Sequence, residues 1–299
     1  MTIELRAGGT DLTERRRTGV SRGPLADIDP RAELTAIDRG ADGTTTIGAL
    51  VTIDTVASDP GLRRDYPALA ATAAGLATPQ IRRVGTIGGN LLQRNRCWYF
   101  RHPGTSCLKK GGDTCPARTG NHRLGALFDL GECVAVHPSS LGAALLAYAA
   151  HVHTEQRGRL TVADLFGDGS DGRRDHQLGA GDLLTTVQLP RPAAGERGGY
   201  VRAISRTYAE WPLAEAVARL VLDGDRIATA AVAAGGVAAV PLRLTAVEAA
   251  LAGRPATAQV FAEAADRATD GASPLPLTGY KARLLIAAVT EALERAAGS

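Results

Sequence analysis

The sequence predicts a mixed fold of helices and sheets, divided into three regions. Short apolar stretches bounded by glycine or aspartate are typical of strands, alanine-rich stretches are typical of helices, and the last segment repeats apolar residues at helical spacing. The three regions are residues 1–50, 51–192 and 193–299. With 299 residues, the chain is long enough for two or three small domains with cores of their own.

The first two regions contain short strands and two helices. Strands are predicted at 3–5, 26–28, 45–49 and 183–189, and helices at 67–76 and 141–150. A polar, arginine-rich segment separates the first two strands. Residues 97–133 contain Pro-Gly, Gly-Gly and Thr-Gly-Asn sequences, which predict a loop without periodic structure.

The third region is predicted to be a sheet packed on helices. Residues 195–199 form a candidate linker, 200–204 alternate like a strand, and 214–222 and 227–240 are apolar. In the tail at 280–295, apolar residues recur at helical spacing: Leu284, Leu285, Ala288, Val289 and Leu293.

Composition and charge exclude several functions. The formal net charge of +3 is too small to indicate nucleic-acid binding, and no apolar run reaches the roughly 18 residues of a membrane span. The start of the chain shows no basic-then-apolar signal pattern. The spacing of serines, histidines and carboxylates supports no catalytic group, and the six histidines form no ligand pattern. We therefore expect no catalytic residue, no nucleic acid and no membrane partner.

All four cysteines lie in one stretch, at Cys97, Cys107, Cys115 and Cys133. Four cysteines in a long chain do not indicate a disulfide scaffold, and isolated core thiols would be scattered instead of clustered. A metal ion or an iron–sulfur cluster remains. The spacing C-x9-C-x7-C-x17-C has neither the short pairs typical of zinc nor the compact ferredoxin run, so it leaves zinc and iron–sulfur open. His122 is a weaker candidate neighbour, and His137 is interpreted as structural.

Two glycine turns stand out upstream of the cysteines. Gly8-Gly9 follows a predicted strand, and Gly88-Gly89 is followed by Asn90. Glycine permits positive φ, and its missing side chain lets amide N–H groups point at an anion. Neither turn is a Walker or Rossmann motif. Each alone is more often a plain turn, but two together can clamp a diphosphate from both sides.

These stretches resemble a known family. Residues 7–12 and 80–91 resemble the two FAD-binding loops of the medium, flavoprotein subunits of molybdenum hydroxylases, the xanthine dehydrogenase family. Further similar stretches lie at 181–185 and 234–237. The cysteine stretch resembles the branch whose FAD subunit carries an additional [4Fe-4S] cluster, as in aldehyde oxidoreductase and 4-hydroxybenzoyl-CoA reductase.

The resemblance implies an α+β fold: a PCMH-type FAD-binding fold of two subdomains, then a sheet-and-helix domain of the CO dehydrogenase flavoprotein type. Residues 1–50 would be the first subdomain, 51–192 the second with the iron–sulfur insertion 97–133, and 193–299 the last domain. The four cysteines would hold the cluster. The implied FAD-binding residues are Ala7, Gly8, Gly9, Thr10, Asp11, Leu12, Thr86, Ile87, Gly88, Gly89, Asn90, Ser140, Leu184 and Arg202.

The resemblance also implies an electron-transfer role in an oxidoreductase complex. A molybdopterin-binding large subunit would oxidise the substrate, an aldehyde, and a small [2Fe-2S] subunit would pass electrons to FAD and on to an acceptor. We expect a cytoplasmic location, with export only if a partner carries a twin-arginine signal. One alternative is a 4-hydroxybenzoyl-CoA reductase-like β subunit with reversed electron flow. Another is a zinc-stapled scaffold module without FAD.

The sequence departs from the family at several positions. The first glycine turn begins at residue 7, where relatives have a preceding strand and helix. Ser140 stands where many relatives have Asp, and Arg202 where they have Lys. Trp211 is interpreted as core packing. Arg94, Arg96, Arg101, Lys109 and Lys110 have the right sign to offset a cluster's negative charge, although a solvated basic face is the expected role of the two lysines.

Overall fold

A parallel pair of strands forms the amino-terminal unit in this computed structural model, which describes residues 3–206 and 210–298. Strands β1 (Glu4–Arg6) and β2 (Leu25–Asp27) pair in parallel, and helix α1 (Leu12–Arg17) connects them. The arginine-rich segment is thus partly helical. Two of its arginines, Arg15 and Arg16, form ion pairs with Glu4 on β1 at 3.1 and 3.3 Å.

The middle unit is built on a five-stranded sheet in which all neighbouring strands are antiparallel. Its order is β3-β4-β7-β5-β6. The strands are β3 (Ile37–Arg39), β4 (Thr45–Gly48), β5 (His151–Thr154), β6 (Gly158–Thr161) and β7 (Leu184–Leu189). Residues 37–48 therefore share a sheet with 151–189, although the sequence analysis placed them in the first region.

Short helices cover this sheet, and most begin at a capping side chain. Thr52, Asp59, Thr78, Thr86 and Ser139 each accept a hydrogen bond from a backbone amide of the helix that follows. The helices are α2 (Ala32–Thr35), α3 (Ile53–Ser58), α4 (Pro60–Asp65), α5 (Pro67–Ala74), α6 (Pro79–Val84), α7 (Ile87–Leu91), α8 (Trp98–Arg101), α9 (Ser140–Ala147) and α10 (Val162–Phe166), with a 3-10 turn at Leu108–Lys110.

The carboxy-terminal unit is a four-stranded antiparallel sheet of order β11-β10-β9-β8 packed on helices. Leu285, Val289 and Leu293 are buried on the helix that packs against β8 and β9. The elements are β8 (Arg197–Ala203), β9 (Ala214–Asp223), β10 (Arg226–Gly235), β11 (Leu242–Arg243), α11 (Thr245–Leu251), α12 (Ala258–Ala265), a 3-10 turn (Asp266–Thr269) and α13 (Lys281–Ala297).

The predicted linker at 195–199 is wrong in its second half, because β8 already begins at Arg197. A Cβ on Gly198 would lie 2.3 Å from the Ala68 amide nitrogen, and one on Gly199 would lie 2.0 Å from the Ala292 carbonyl oxygen. These glycines let the strand contact a helix on each face. The apolar stretch at 227–240 forms a strand only as far as Gly235, and the chain then turns at Gly236 with φ of +70°.

None of the helices in the described residues is long and apolar enough to cross a bilayer.

Candidate functional site

Two cavities meet at the two glycine turns. The larger has a volume of about 650 Å³ and the smaller about 210 Å³. Both are lined by the same five residues from the turns and the segment after them, namely Thr10, Asp11, Thr86, Gly89 and Gln93. The cavities therefore form one elongated site whose waist lies at the glycine turns.

The first glycine turn packs directly on the chain leading into the second. A Cβ on Gly8 would lie 1.9 Å from the Val84 carbonyl oxygen, so only glycine permits this approach. Gly9 has φ of +69°, a left-handed conformation that glycine adopts without strain. The requirement for two consecutive glycines in this turn thus has two separate physical causes.

The two turns differ in their free amide groups. The amide N–H groups of residues 8–11 have no hydrogen-bond partner among the described residues. Those of residues 87–90 all donate within the protein, to carbonyl oxygens or to the Thr86 hydroxyl. The expectation that both turns point amides at an anion is therefore wrong for the second turn. That turn offers the side chain of Asn90 and a surface without Cβ atoms.

The larger cavity is the more basic one. Ala7, Gly8, Gly9, Leu12, Gly88 and Leu184 lie in its wall, as do the side chains of Arg15, Arg22, Arg94, Lys109 and Lys110. Its cations lie on the side of the waist where the free amides lie. This arrangement suits a phosphate-bearing ligand.

The smaller cavity has an apolar side and a polar side. Leu76, Ala77 and Ile81 contribute the apolar side. The polar side includes Asn90, Ser140 and Arg202, all three of which the sequence analysis had selected. The Arg202 guanidinium donates hydrogen bonds to the carbonyl oxygens of Gly75 and Glu210. Its position is therefore fixed beside the cavity, unlike that of a freely solvated strand residue.

Trp211 belongs to this smaller cavity, so its interpretation as core packing is wrong. Its side chain is 45% exposed, and the Arg96 guanidinium lies over its ring at 4.2 Å. Both residues line the cavity.

Gln93 and Arg96 line the smaller cavity but were not predicted as ligand contacts, although they lie shortly after the second turn. Ile87, by contrast, was selected but is fully buried in the core and lines neither cavity.

Asp11 joins the first turn to the cysteine segment. Its carboxylate contacts Arg96 at 2.9 Å and Arg101 at 2.7 Å, and it accepts from the Arg94 amide at 3.2 Å. Burial raises the pKa of Asp11, but the nearby Arg96 and Arg101 outweigh it and leave the pKa lowered. An ionised Asp11 is therefore part of the scaffold that connects two regions far apart in sequence.

The four cysteines of the 97–133 segment lie near one another as free thiols. Cys107 and Cys133 are buried, and Cys97 and Cys115 pack against the small apolar cluster that includes Cys133. A hydrogen bond between Cys115 and Cys133 lowers the pKa of Cys115 to about 5 and raises that of Cys133. Backbone amides donate to the sulfurs of Cys97, Cys115 and Cys133. Among these three thiols, only Cys115 has a lowered pKa, because burial raises the pKa of Cys97 despite its amide donors.

These thiols are not arranged around one point. Within residues 3–206 and 210–298, no three or more His, Cys, Asp or Glu side chains are placed to hold a single metal ion.

Lys109 is buried beside the cysteines, so the expectation of a solvated lysine is wrong for it. Only 3% of its side chain is exposed, and it contacts Asp175 at 2.9 Å. Its charge favours the ionised form of Cys133. Lys110 donates to the carbonyl oxygens of Tyr99 and His102 and thereby braces the same segment.

The two histidines near the cysteines are structural. His122 contacts the carbonyls of Ala117 and Gly120 through Nδ1 and accepts from the Leu277 amide through Nε2. His137 is buried, and burial lowers its pKa to about 3, so it stays neutral. Among the described residues, neither histidine belongs to a group of side chains that could hold a metal ion.

Comparison with known proteins agrees with this geometry. Residues 2–192 match the family model "FAD binding domain in molybdopterin dehydrogenase", and residues 199–296 match "CO dehydrogenase flavoprotein C-terminal domain". The chain is 34% identical over 253 residues to the aldehyde oxidoreductase FAD-binding subunit PaoB of Escherichia coli K12, covering 82% of this chain and 78% of that one. It is 28% identical over 257 residues to the nicotinate dehydrogenase FAD-subunit of Eubacterium barkeri, covering 85% and 73%.

The fold is shared with solved structures. A chain of the carbon monoxide dehydrogenase from Hydrogenophaga pseudoflava superposes with a TM-score of 0.76 at 26% identity, over 99% of this chain and 90% of that chain. Quinoline 2-oxidoreductase from Pseudomonas putida 86 gives the same TM-score at 21% identity, over 99% and 90%. The α+β fold inferred from the resemblance is confirmed. The chain belongs to the FAD-binding subunits of the molybdenum hydroxylase family and is a subunit of an oxidoreductase of that type.

Proposed function

We propose that this subunit transfers electrons through an FAD that spans both cavities and a [4Fe-4S] cluster held by the four cysteines. The observation that carries the proposal is the meeting of the two cavities at the glycine turns. A dinucleotide has two bulky ends joined by a diphosphate. An elongated site with a glycine waist matches that shape.

Different residues of the chain would bind different parts of FAD. The free amides of residues 8–11 and the cations of the larger cavity would bind the diphosphate and the adenosine end. Leu12 and Leu184 supply apolar wall to that cavity. Asn90, Ser140 and Arg202 would fix the polar edge of the flavin ring in the smaller cavity. When bound, FAD supplies reversible electron uptake, and the protein supplies position and local charge.

Cys97, Cys107, Cys115 and Cys133 would be the cluster ligands. Amide donors to the sulfurs and the buried charge of Lys109 both stabilise thiolates. The resemblance of this cysteine stretch to the cluster-bearing branch of the family is the reason to propose iron–sulfur here instead of zinc. Because Arg96 lines the smaller cavity and Cys97 follows it in sequence, we expect the proposed cluster and the flavin ring to be neighbours.

The partners we propose are a molybdopterin-binding large subunit and a small [2Fe-2S] subunit, with an aldehyde as substrate of the complex. The support is the 34% identity to the PaoB subunit of an aldehyde oxidoreductase. Co-expression with a molybdopterin-binding large subunit and a small [2Fe-2S] subunit from the same organism should give a stable ternary complex. A complex that oxidises xanthine but no aldehyde would contradict the substrate class and leave the subunit role intact.

The cofactors are tested on the purified chain, prepared without oxygen. We expect one FAD per chain in the released chromophore, and about four iron atoms with acid-labile sulfide. The Cys107→Ser variant should lose iron. A wild-type chain that carries zinc in place of iron refutes the cluster, and one that takes up no FAD refutes the flavin site.

A further inference from the structure

A buried carboxyl group lies behind the wall of the smaller cavity. Glu215 on β9 is fully buried, and the Tyr200 hydroxyl donates to its Oε2 at 2.7 Å. It interacts with Ser140 and Arg202, both of which line the cavity. Arg202 is also its direct cross-strand partner in the sheet. A carboxyl in this place is unexpected, because burial of an ionised group is costly.

The surrounding backbone leaves space for the side chains of Tyr200 and Glu215. A Cβ on Gly235, the other cross-strand partner of Glu215, would lie 2.3 Å from its Oε1. A Cβ on Gly75 would lie 2.7 Å from the Tyr200 ring. Two glycines on different elements thus accommodate the Tyr200–Glu215 pair.

We propose that Glu215 is a positioning residue whose charge is linked to the redox state of the flavin bound in the smaller cavity. The inference rests on the flavin placement proposed above. Glu215 does not line the cavity, so it acts through the charge of Arg202, which lies beside it across the sheet and lines the cavity. Ser140 carries no charge of its own. The carboxyl behind it is fully buried, whereas Asp11, Glu14 and Glu210, which are acidic residues in the cavity wall, are only partly buried.

The groups facing Glu215 come from three elements. Tyr200 and Arg202 lie on β8, Ser140 on α9, and Gly235 on β10 contributes no side chain. Burial raises the pKa of Glu215, against the hydrogen bond from Tyr200 and the charge of Arg202. The pKa of this carboxyl is therefore raised. Modest changes in the charge nearby can then change whether Glu215 is protonated.

Reduction of the flavin is such a change in charge. When the flavin gains two electrons from a reductant and one proton from solvent, an ionised Glu215 takes up one further proton from solvent at its carboxylate. At pH values below its pKa, Glu215 is already protonated and takes up none. Binding linkage then makes the relative affinity for reduced and oxidised FAD depend on pH more steeply above that pKa than below it.

The test is the midpoint potential of bound FAD between about pH 5 and pH 9, compared in wild type and Glu215→Gln. In wild type, the plot of potential against pH should change slope at the pKa of Glu215, and this change of slope is called the break. Above the break, the affinity ratio of reduced to oxidised FAD should fall by an additional factor of about ten per pH unit, which is about 30 mV for a two-electron couple. Glu215→Gln should lack the break and should hold reduced FAD more tightly at high pH. Glu196→Gln is the matched control, because Glu196 is also buried but lines neither cavity.

A second variant guards against a folding defect. Tyr200→Phe removes the hydrogen bond that favours ionised Glu215, so the break should move to higher pH. Identical pH profiles in wild type, Glu215→Gln and Tyr200→Phe, all with FAD bound, overturn the inference and leave the flavin site standing. A wild-type chain without FAD overturns both.

Discussion

Gly8 is the residue at which one added methyl group would separate the two glycine turns. Because its Cβ would lie 1.9 Å from the Val84 carbonyl oxygen, Gly8→Ala must move backbone. We expect a loss of about 1–3 kcal/mol in unfolding free energy and at least a tenfold weaker FAD affinity. Gly279→Ala, where a Cβ meets open space, is the control. Urea denaturation and FAD titration measure both effects, and equal behaviour of the two variants would contradict the packing argument.

Lys281 makes the stability of the carboxy-terminal unit depend on pH. Its ammonium group is buried against the carbonyl oxygens of Leu124 and Gly236, and burial lowers its pKa to about 7. Between this value and the unfolded-state pKa, the unfolded chain binds more protons, so stability must rise with pH from about 7 to about 10. In Lys281→Met this rise should disappear.

The slope is the diagnostic quantity for Lys281. The Met variant also leaves two carbonyl oxygens without a donor, so its absolute stability shifts for a separate reason. Urea midpoints at several pH values separate these effects. Parallel pH curves for the two proteins would show that Lys281 keeps its ordinary pKa.

For single residues, the sequence predicts features that depend on the local backbone conformation. It misses contacts between residues that are far apart in the chain. Gly8 and Asn90 were identified because turn chemistry is local. Trp211 and Lys109 were misinterpreted because their partners, Arg96 and Asp175, lie far away in the chain. No local pattern signals that a lysine will be buried by an aspartate 66 positions later.

Among the elements, α8 is tied to the first glycine turn by Asp11, a side chain outside the helix. Asp11 contacts Arg101 at the end of α8 and Arg96 before it, and its side chain is only 13% exposed. Removing the charge takes this ion pair away from Arg96 and leaves Arg101 paired with Glu14. We expect Asp11→Asn to lower the unfolding free energy by about 3 kcal/mol and to accelerate loss of iron to a chelator.

The control for Asp11→Asn is Asp27→Asn. Asp27 pairs with Arg6, but it is exposed, so solvent screens the pair and stability should not change measurably. Thermal unfolding and iron release are the readouts. Equal iron release from the two variants would mean that Asp11 does not hold the cysteine segment.

Long periodic elements could be predicted from the sequence, and short aperiodic ones could not. The predicted helix at 280–295 corresponds to α13, and that at 67–76 to α5, because burial on one side or throughout leaves a clear apolar pattern. The start of β8 was missed, since Gly198 and Gly199 have low strand propensity and are there for close packing. Helix α1 was missed because its arginines are stabilised by Glu4, outside the helix.

The whole molecule brings together segments that the sequence divides. Strand β4 precedes residue 50, yet it pairs with β7 more than 130 residues later. The cavities are likewise walled by the first turn, the second turn, the cysteine segment and β8. The family resemblance selected residues of both turns, of which Ile87 lines neither cavity. The sharing of Thr10, Thr86 and Gln93 between two cavities required the three-dimensional fold.

Because Asp11 belongs both to the cavity waist and to the support of the cysteine segment, the two proposed cofactors should stabilise each other. Loss of the cluster in Cys107→Ser loosens the segment that carries Arg96 and Arg101, so FAD should bind about tenfold more weakly. Thermodynamic reciprocity then requires FAD to strengthen cluster retention by the same factor. The measurements are FAD dissociation constants with and without iron, and iron retention with and without FAD. An unchanged FAD affinity in Cys107→Ser would show that the contacts of Asp11 anchor the segment without linking the two sites.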